Sequence, residues 1–522
     1  MIDTGASGTF GTPRGRPLAL VGALAALAGF AALQLAAFLI AGVFEYPLDD
    51  VYIHLAMAEG IVAGGYGVNP GEPASAASSV LYPVLLAAAP GTWVQRLLPL
   101  GWNLLAVAVC GALWGRALSR ANLAAARGVA LAALGPLALN MPGVAFTGME
   151  NGLHTALSLA VMFGLWRALQ DNRVTWWFVA AAVLSPLFRF EGLALSLLSA
   201  GALALTGRSR LALWLAAGVV VPVLAFGGFL MSLGLSPVPG SILAKVGFAA
   251  TGSGAADRVF GQVLRNLAAP PGWLLSALVV LSLVLALGAR GRTGLFLLVL
   301  AVAGMAHLLV AQIGWMHRHE HYAVVTLLSG IALSSAAMGS RLRAAAPALL
   351  FAACVASGAA FLPRLVTSYV WNTRTIHLQQ TQMARFAREF FQVSVAVNDL
   401  GRVAWSNPSR VLDLWGLGSA EARAVRQASA EPPAGWAAPL AAAQDVRMAM
   451  IYDAWFATAA GPDWAPLAKL YLDGPHGPVG DTVVTFYAVG TENVVPMRTA
   501  LDAFAPTLPA GARLERLPES AP

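Results

Sequence analysis

Charged residues are scarce in this sequence of 522 residues: Asp, Glu, Lys and Arg make up 11%, whereas hydrophobic residues make up 58%. Soluble domains carry about 25% charged residues. The mean hydropathy of +0.69 means that the chain has more apolar surface than a soluble fold can bury. The composition therefore excludes a soluble globular protein and predicts an integral membrane protein. The net charge of +7 is interpreted through its placement along the chain, and no nucleic-acid partner is predicted.

Cysteine is also scarce, with two residues in the whole chain. Cys110 and Cys354 both lie inside apolar runs, where they can form neither a zinc site nor a disulfide between loops. We interpret them as core thiols. Internal repeats and long low-complexity tracts are lacking as well, and the lack of an inverted repeat argues against a transporter.

Long apolar runs, by contrast, are abundant. A helix needs roughly 20 apolar residues to cross about 30 Å of hydrocarbon, and the first run, 18–43, is too long for the apolar region of a signal peptide. Charged and Gly/Pro-rich breaks divide the chain into about eleven transmembrane helices. The predicted spans are 18–43, 97–115, 128–144, 152–166, 174–188, 192–205, 211–232, 273–289, 293–312, 322–339 and 344–362.

The placement of arginine gives an orientation. Cytoplasmic loops are enriched in Lys and Arg, and on this map the arginine-rich connections all fall on one side of the membrane. Splitting 174–205 into two spans keeps Arg208 and Arg210 on that side. We therefore predict a multi-pass protein of the bacterial cytoplasmic (inner) membrane, with a cytoplasmic N-terminus and an extracytoplasmic C-terminus. The arginines used are Arg14, Arg16, Arg116, Arg120, Arg127, Arg167, Arg173, Arg208, Arg210, Arg290, Arg292, Arg341 and Arg343.

The composition changes to mixed polar and apolar after Pro363. This predicts a membrane domain over 1–363 and a soluble extracytoplasmic α/β domain over 364–522. Helical and strand patterns alternate in the second part. They predict helices at 374–391 and 421–428 and strands at 393–397, 411–414, 448–452 and 483–489.

The first outside loop, 44–79, carries the most unusual polar residues. Asp49 and Asp50 are adjacent at the membrane surface, and His54 lies four residues after Asp50. On a short helix Asp50 and His54 share a face and can cooperate on a proton or a divalent cation, so Asp49, Asp50 and His54 are the candidate metal ligands. The alternative is structural, with Asp49 as an N-cap and Asp50 favouring the helix N-terminus. The spacing alone leaves both readings open.

Several short motifs, each present once, follow one another in a particular order along the chain. Asp49-Asp50 is followed by a helical segment, an Asn-Pro-Gly-Glu turn at 69–72 and a Ser-rich stretch at 75–79. Further on come Thr-Gly-Met-Glu at 147–150, Arg-Phe-Glu-Gly at 189–192, Pro-Gly-Ser-Ile-Leu-Ala-Lys at 239–245, Asn-Asp-Leu-Gly at 398–401 and Leu-Asp-Leu-Trp-Gly-Leu at 412–417. In this order the motifs resemble those of the GT-C superfamily of polyprenyl-phosphate-sugar-dependent glycosyltransferases. The chain is similar to the group of the mycobacterial terminal arabinofuranosyltransferase.

The resemblance implies a GT-C fold and an inverting transferase (EC 2.4 type). By analogy, Asp50 is the base that deprotonates the acceptor hydroxyl, with support from Asp49 and His54. Arg189, Lys245 and Arg318 would stabilise the leaving phosphate. The chain departs from the family in having Phe190 where many relatives have Pro. It also has Trp-Met-His-Arg-His-Glu-His at 315–321 in place of an aromatic-rich end of the ninth span.

Ionisable residues at membrane depth are functional candidates in their own right, because they are costly to place there. Glu150, Arg189, Glu191 and Arg318 are such residues, and we assign them with His54 and Lys245 to donor or acceptor binding. Each has a structural alternative. Arg189 and Glu191 can form an ion pair at a helix break, Glu150 can favour a helix N-terminus, and Lys245 can be a snorkelling loop lysine.

Two further groups have structural readings. His317 and His321 are four residues apart, which permits a metal site on a helix, but an interfacial aromatic and basic belt explains them equally well. Asp399 and Asp413 lie at the ends of predicted strands and are interpreted as turn residues.

The sequence thus predicts a membrane glycosyltransferase for cell-envelope glycan assembly. Its partners would be the lipid bilayer, a polyprenyl-phosphate-linked sugar and a glycan, lipid or protein acceptor. The sugar, the choice between decaprenyl and undecaprenyl carriers and the need for a divalent cation stay open. The leading alternative is a polytopic transporter or flippase for a lipid-linked or anionic substrate.

Overall fold

The computed structural model describes residues 15–121, 123–247, 255–429 and 431–518, with the side chains of 244–247 and Ala255 excluded. Arg14 and the side chain of Lys245 therefore lie outside the described part. The chain forms two compact units. The first comprises Met1–Leu35, Leu100–Ala225 and Gly254–Val366, and the second comprises Ala36–Pro99, Phe226–Ser253 and Thr367–Pro522.

Long apolar helices dominate the chain, as its composition predicts. In the described residues, eight helices are long and apolar enough to cross a membrane. They are Gly15–Ala41, Trp93–Leu118, Ala125–Phe146, Asn151–Gln170, Ser209–Ser232, Pro270–Gly288, Gly291–Val310 and the start of the helical stretch Ser340–Phe390. The prediction of a polytopic helical membrane protein agrees with this count, and three further predicted spans correspond to shorter helices.

The shorter apolar helices are Trp176–Phe188, Gly192–Leu205 and His321–Ala337. The first two contain 13 and 14 residues, or about 20 Å each, and they pack as an antiparallel hairpin in which Ser196 Oγ donates to the Ala182 carbonyl (2.8 Å). Gly192 closes the turn, because a Cβ there would lie 2.4 Å from Ser185 Oγ and 2.8 Å from its carbonyl carbon. The chain therefore turns back on itself between Phe188 and Gly192, as the split of the predicted spans requires.

The helix Asn151–Gln170 has chemically different ends. At its C-terminal end, Arg208 donates to the Ala168 carbonyl (2.8 Å) and Arg292 to the Leu169 carbonyl (2.9 Å), where cations complement the helix dipole. Its N-terminal end begins beside Glu150. The helix has 20 residues, so the two ends are about 30 Å apart, and arginines from two separate connections meet at one of them.

The second unit contains a six-stranded mixed sheet in the order β2-β1-β3-β5-β4-β6. The strands are β1 Val395–Val397, β2 Val411–Asp413, β3 Met448–Ile451, β4 Trp464–Leu472, β5 Val483–Val489 and β6 Ala512–Arg516. β1 pairs in parallel with β2 (Val395 with Val411) and with β3 (Val395 with Met448), while the other pairs are antiparallel. β4 and β6 were not predicted from the sequence.

Helices cover both faces of this sheet, which makes it a layered α/β domain. On one face Phe386 packs against Phe486 and Phe504, with ring centroids 5.2 Å apart in each pair. The other face buries Trp436, Phe456 and their neighbours. Helices in this unit are Asp50–Val62, Tyr82–Leu85, Gly240–Gly247, Asn372–Leu378, Gln380–Arg385, Gly401–Ala404, Ala420–Ala428, Ala438–Ala443, Asp453–Phe456 and Val494–Phe504, and the amphipathic helix Ala255–Leu267 belongs to the first unit.

Candidate functional site

The first candidate centre lies in the second unit, where the loop 44–79 packs against the C-terminal domain. The Asp49 carboxylate accepts hydrogen bonds from two backbone amides, Gly401 N–H to Oδ2 and Arg402 N–H to Oδ1, each 2.7 Å long. These amides begin the short helix Gly401–Ala404, where a carboxylate is favoured. A Cβ on Gly401 would lie 2.1 Å from the Asp49 carbonyl oxygen. Only glycine permits this contact.

This arrangement corrects the structural reading of Asp49. Asp49 precedes the helix Asp50–Val62, but its side chain makes no capping hydrogen bond to that helix. It binds a different helix start, more than 350 positions along the chain. Asp49 therefore ties the first loop to the motif at 398–401, which local spacing could not reveal.

Three carboxylates lie within electrostatic reach of one another at this contact: Asp49, Asp50 and Asp399. Burial and repulsion from Asp399 and Asp50 raise the pKa of Asp49 from 3.8 to about 8. Burial and repulsion from Asp50 also raise the pKa of Asp399. Like charges held together in a partly buried site favour proton retention, which suits a group that must accept or share a proton near neutral pH.

Asp399 lies at the carboxyl end of β1 and is joined to residues from two other elements. Tyr452, directly after β3, donates its hydroxyl to Asp399 Oδ2 (2.6 Å), and Gln380 Nε2 donates to the same oxygen (2.8 Å). β1 and β3 are parallel neighbours in the strand order 2-1-3. In open α/β sheets, ligands bind outside the carboxyl ends of strands at such a reversal of strand order. The reading of Asp399 as an ordinary turn residue therefore leaves its hydrogen bonds unexplained.

Asp413 also lies at the carboxyl end of a parallel strand, β2, but its hydrogen bonds are local. Its carboxylate accepts from Trp415 N–H (2.8 Å) and Gly418 N–H (2.7 Å). Both bonds hold the loop directly after β2. Asp413 therefore organises a turn, in line with the sequence interpretation.

The Asn-Pro-Gly-Glu turn at 69–72 docks onto the edge strand β2. The Asn69 side chain accepts from Val411 N–H (2.9 Å) and donates to the Val411 carbonyl (3.0 Å), so it occupies the place of a neighbouring strand. Glu72 accepts from Arg410 (2.7 Å) beside it. The motif thus connects the first loop to the sheet.

We expect Asn69→Ala to loosen this edge. The backbone groups of Val411 lose their partners, and a buried group without a partner costs about 1–3 kcal/mol. Hydrogen exchange followed by mass spectrometry should show faster exchange in the peptide that contains Val411. Glu72→Gln is the matched control, because it leaves both hydrogen bonds between Asn69 and Val411 in place. It weakens a half-exposed ion pair with Arg410, worth about 1 kcal/mol or less, and the contact of Glu72 with Asn69 Nδ2 (2.9 Å). Equal exchange in Asn69→Ala and the unaltered protein would contradict the role of Asn69.

A buried ionic network at Glu45 holds the start of the first loop, 44–79, in place. Glu45, with 3% of its surface exposed, accepts from Arg96 (2.9 Å), from Thr381 (2.7 Å) and from the Tyr52 hydroxyl. Burial alone would raise the pKa of Glu45, but Arg96, Arg402 and the hydroxyl donors hold it below its usual value. The Arg402 guanidinium lies 4.9 Å from the Tyr52 ring centre. Glu45 therefore serves as a charged anchor for the first loop.

His54 is buried in the helix that Asp50 begins. Its Nε2 lies 3.2 Å from Ser78 Oγ, and its ring meets Tyr82 edge to face at 5.2 Å. In the part of the chain that the structure describes, no group of three or more His, Cys, Asp or Glu side chains is placed to hold a metal ion. Binding of a divalent cation by Asp49, Asp50 and His54 stays a prediction.

The second candidate centre lies in the first unit, at the N-terminal end of Asn151–Gln170. Arg189, in the turn of the helical hairpin, donates to Glu150 Oε1 (3.0 Å) and to both oxygens of Glu191 (2.6 and 3.2 Å). Its Nη2 also lies 3.2 Å from His319 Nδ1. Arg189 thus holds two carboxylates at once. The sequence left open a structural ion pair between Arg189 and Glu191 at a helix break. The structure contains this pair and adds Glu150 to it.

Arg318 and His319 follow a strained turn. Gly314, Trp315, Met316 and His317 all have positive φ angles, of 102°, 47°, 60° and 57°. Each left-handed non-glycine residue costs about 1–2 kcal/mol, and such strain is concentrated at functional sites. Asn151 donates to the Arg318 carbonyl (3.0 Å). The turn therefore presents Arg318 and His319 to the same helix end as Glu150.

The metal reading of His317 and His321 does not fit this geometry. The helix begins only at His321, so the two residues are not one helical turn apart. His317 lies 3.4 Å from Glu320 and packs on Phe361, whereas His321 lies 3.1 Å from Thr155. The two histidines have different partners.

The motif at 239–245 contacts the first loop and the C-terminal domain. Ser241 donates to the Ala77 carbonyl (2.9 Å), and the Gln427 side chain donates to the Leu243 carbonyl (3.1 Å). Lys245 belongs to the helix Gly240–Gly247. Six of the sequence motifs therefore belong to the second unit, namely 49–50, 69–72, 75–79, 239–245, 398–401 and 412–417, while Glu150, Arg189, Glu191 and Arg318 belong to the first.

The raised pKa of Asp49 predicts a pH dependence of stability. A folded-state pKa of about 8 against 3.8 means that the folded protein holds a proton which the unfolded chain releases. Stability should therefore fall as pH rises between about 4 and about 8. Thermal unfolding of the detergent-purified protein should show this decline, with a shallower slope in Asp399→Asn, because one repelling charge is removed. Asp473→Asn, at an exposed ion pair with Arg513, is the control. An Asp399→Asn slope equal to that of the unaltered protein would contradict the coupling.

Sequence reasoning missed several residues of these centres. Glu45, Arg96, Arg402, Gln380 and Tyr452 were not singled out, because each acquires its role through contacts far along the chain. Tyr452 and Asp399 had one usable signal, since Tyr452 is the last residue of the predicted strand 448–452 and Asp399 lies two residues after the predicted strand 393–397. Parallel pairing of those strands would have brought the two residues to the same edge.

Comparison with known proteins gives a match over part of the chain. Residues 372–487 match a family described as Domain of unknown function (DUF8728). This segment contains β1 to β4 and the residues that follow β1, β2 and β3. No curated protein and no solved structure matches the chain.

Proposed function

We propose that this protein is an inverting glycosyltransferase of the cytoplasmic membrane, which transfers a sugar from a polyprenyl-phosphate donor to an extracytoplasmic hydroxyl. The observation that carries the proposal is the carboxylate group Asp49, Asp50 and Asp399. The loop motif and the domain motif are joined there by two 2.7 Å hydrogen bonds. A transferase of this type needs a carboxylate base beside the membrane surface, and these residues supply one.

In the proposed reaction, Asp50 takes the proton of the acceptor hydroxyl. The acceptor oxygen bonds to the anomeric carbon while the bond from that carbon to the phosphate oxygen breaks. Polyprenyl phosphate leaves, and the single displacement inverts the anomeric centre. Asp49 holds the loop against Gly401 and Arg402, so it acts as a positioning residue beside the base.

The leaving phosphate needs a cation. Arg318 and Lys245 keep this role from the resemblance, whereas the hydrogen bonds of Arg189 go to Glu150 and Glu191. We therefore assign Arg189 to the support of the strained turn and the hairpin. Glu150 and Glu191, which pair with Arg189, would act in donor or acceptor binding by helping to position this turn.

The orientation follows from the two ends of Asn151–Gln170. The end with Arg208 and Arg292 is the cytoplasmic one by the positive-inside rule, and the end with Glu150 then faces the extracytoplasmic side. We propose eleven spans in this arrangement, with the pair 176–188 and 192–205 counted as two. If this hairpin instead enters and leaves the membrane on one side, the number of crossings falls by two and stays odd. The C-terminal domain would then still be extracytoplasmic.

A flippase or transporter is the second candidate, favoured by one observation. A half-length helical hairpin with Arg189 and Glu191 at its turn resembles the discontinuous helices that line transport pathways. A transporter moves a lipid-linked sugar without changing its glycosidic bond. The two functions therefore differ in their product.

Mass analysis of envelope glycans in a deletion strain tests the proposal. We expect the loss of one sugar residue from one glycan, with its polyprenyl-phosphate donor accumulating on the extracytoplasmic side. Accumulation of the donor on the cytoplasmic side would favour the flippase. Unchanged glycans and donor pools would overturn both.

A further inference from the structure

An aromatic row begins at Asp399 and continues across the C-terminal domain. The Tyr452 hydroxyl binds Asp399, and the Tyr452 ring meets Trp455 edge to face at 5.4 Å. Trp455 in turn lies 5.4 Å from Trp415. These residues follow β3 and β2, so the row runs along the carboxyl edge of the parallel strands.

The exposure of these side chains changes along the row. Tyr452 is buried at 1% exposure, Trp415 is half-buried and Trp455 is 47% exposed. Trp455 is therefore the open end of a row whose other members are partly or fully covered. Its partners are polar at one end and aromatic at the other, which is the composition of a ligand site.

Both tryptophans of the row pack against neighbouring groups of the domain. A Cβ on Gly480 would lie 2.5 Å from the Trp455 ring, so the loop backbone packs directly against the indole. The Arg426 guanidinium lies 4.2 Å from the centre of Trp415. Both tryptophans are thus held in fixed positions, which reduces the entropy lost when a ligand binds.

The polar end offers groups for hydroxyl recognition. Both hydrogen bonds to Asp399 converge on Oδ2. Gln380 is 2% exposed, and its Oε1 is a buried acceptor without a hydrogen-bond partner. A carboxylate and an amide oxygen accept hydrogen bonds from sugar hydroxyls, while the C–H faces of a sugar ring pack against aromatic faces.

We propose that Trp455, Trp415, Tyr452 and Asp399 form a binding subsite for the acceptor, and that this acceptor is a glycan chain. The proposal rests on the proposed function and narrows its acceptor from glycan, lipid or protein to glycan. The residue to be modified would lie at Asp399 and Asp50, and the preceding sugars would pack on the tryptophans.

The test is hydroxyl-radical footprinting of the full-length protein in nanodiscs. The probe is the oligosaccharide pool released from the host envelope by mild acid hydrolysis. We expect the pool to protect Trp455 and Trp415 from oxidation. In Trp455→Ala, the concentration that half-protects Trp415 should rise about tenfold, because a lost aromatic contact is worth about 1 kcal/mol or slightly more. Trp455→Phe should restore part of the affinity.

Val495→Ala, on the exposed side of the helix Val494–Phe504, is the control and should bind like the unaltered protein. Absence of protection, unchanged affinity in Trp455→Ala, or protection by envelope phospholipids or peptides in place of oligosaccharides would overturn the subsite. A parallel transfer assay separates the two proposals. Protection without transfer rejects the proposed function alone, and transfer without protection rejects the subsite alone.

Discussion

Asp50→Asn should lower sugar transfer by about 10²–10⁴-fold, which is the usual contribution of a general base. The amide has nearly the same shape as the carboxylate, so the helix Asp50–Val62 should still form. Transfer of radiolabelled sugar from a polyprenyl-phosphate donor, measured with equal amounts of folded protein, checks this result. Near-normal transfer by Asp50→Asn would exclude Asp50 as the base.

Asp49→Asn provides the informative comparison. Each of its two side-chain oxygens accepts one backbone hydrogen bond, whereas the nitrogen that replaces one oxygen in Asn can only donate. One amide at Gly401 or Arg402 should lose its partner, at about 1–3 kcal/mol. We therefore expect Asp49→Asn to lose activity together with stability, and Asp50→Asn to lose activity alone. Equal stability losses in the two variants would contradict this division of roles.

Arg189→Ala should destabilise the protein by about 3–5 kcal/mol, because it leaves the buried carboxylate of Glu150 and the half-buried carboxylate of Glu191 without their shared cation. Glu150 is fully buried and Arg189 is 7% exposed, so solvent screens the pair weakly. Thermal unfolding in detergent measures the effect. Adding Glu150→Gln and Glu191→Gln to Arg189→Ala should recover part of the loss, since the uncompensated charges are removed.

Arg292→Ala is the matched control for Arg189. It removes an arginine from the other end of Asn151–Gln170, where Arg292 donates to one carbonyl (2.9 Å). Its effect should be about 1 kcal/mol or less. If Arg189→Ala is as stable as Arg292→Ala, the ion cluster does not hold the hairpin turn.

The apolar helices could be predicted from the sequence because hydrophobic length and the position of arginine are local properties. Each of the eleven predicted segments lies largely within a helix, and the basic residues Arg208 and Arg292 meet at one helix end. The parallel core of the α/β domain was also recognisable, since β1, β2, β3 and β5 are short apolar runs between turn signals. β4 was missed because Pro466 lies at a register shift inside it, and β6 because it is a charged edge strand.

The candidate site was only partly predictable. Asp49 and Asp50 stand out as adjacent carboxylates, but the contact of Asp49 with Gly401 joins residues 352 positions apart. The same holds for Asn69 and Val411, which are 342 positions apart. Periodicity and spacing describe neighbours within one element. They could not identify Asp399 or Tyr452, whose roles depend on which strands pair in parallel.

We propose that the carboxylates at the first loop catalyse the transfer of a lipid-linked sugar. Purified protein reconstituted in liposomes with a radiolabelled polyprenyl-phosphate sugar and envelope oligosaccharides tests this proposal. We expect label to enter the oligosaccharide with inverted anomeric configuration, and Asp50→Asn to abolish this transfer. Label that stays on the lipid, or crosses the bilayer with its glycosidic bond intact, would contradict it.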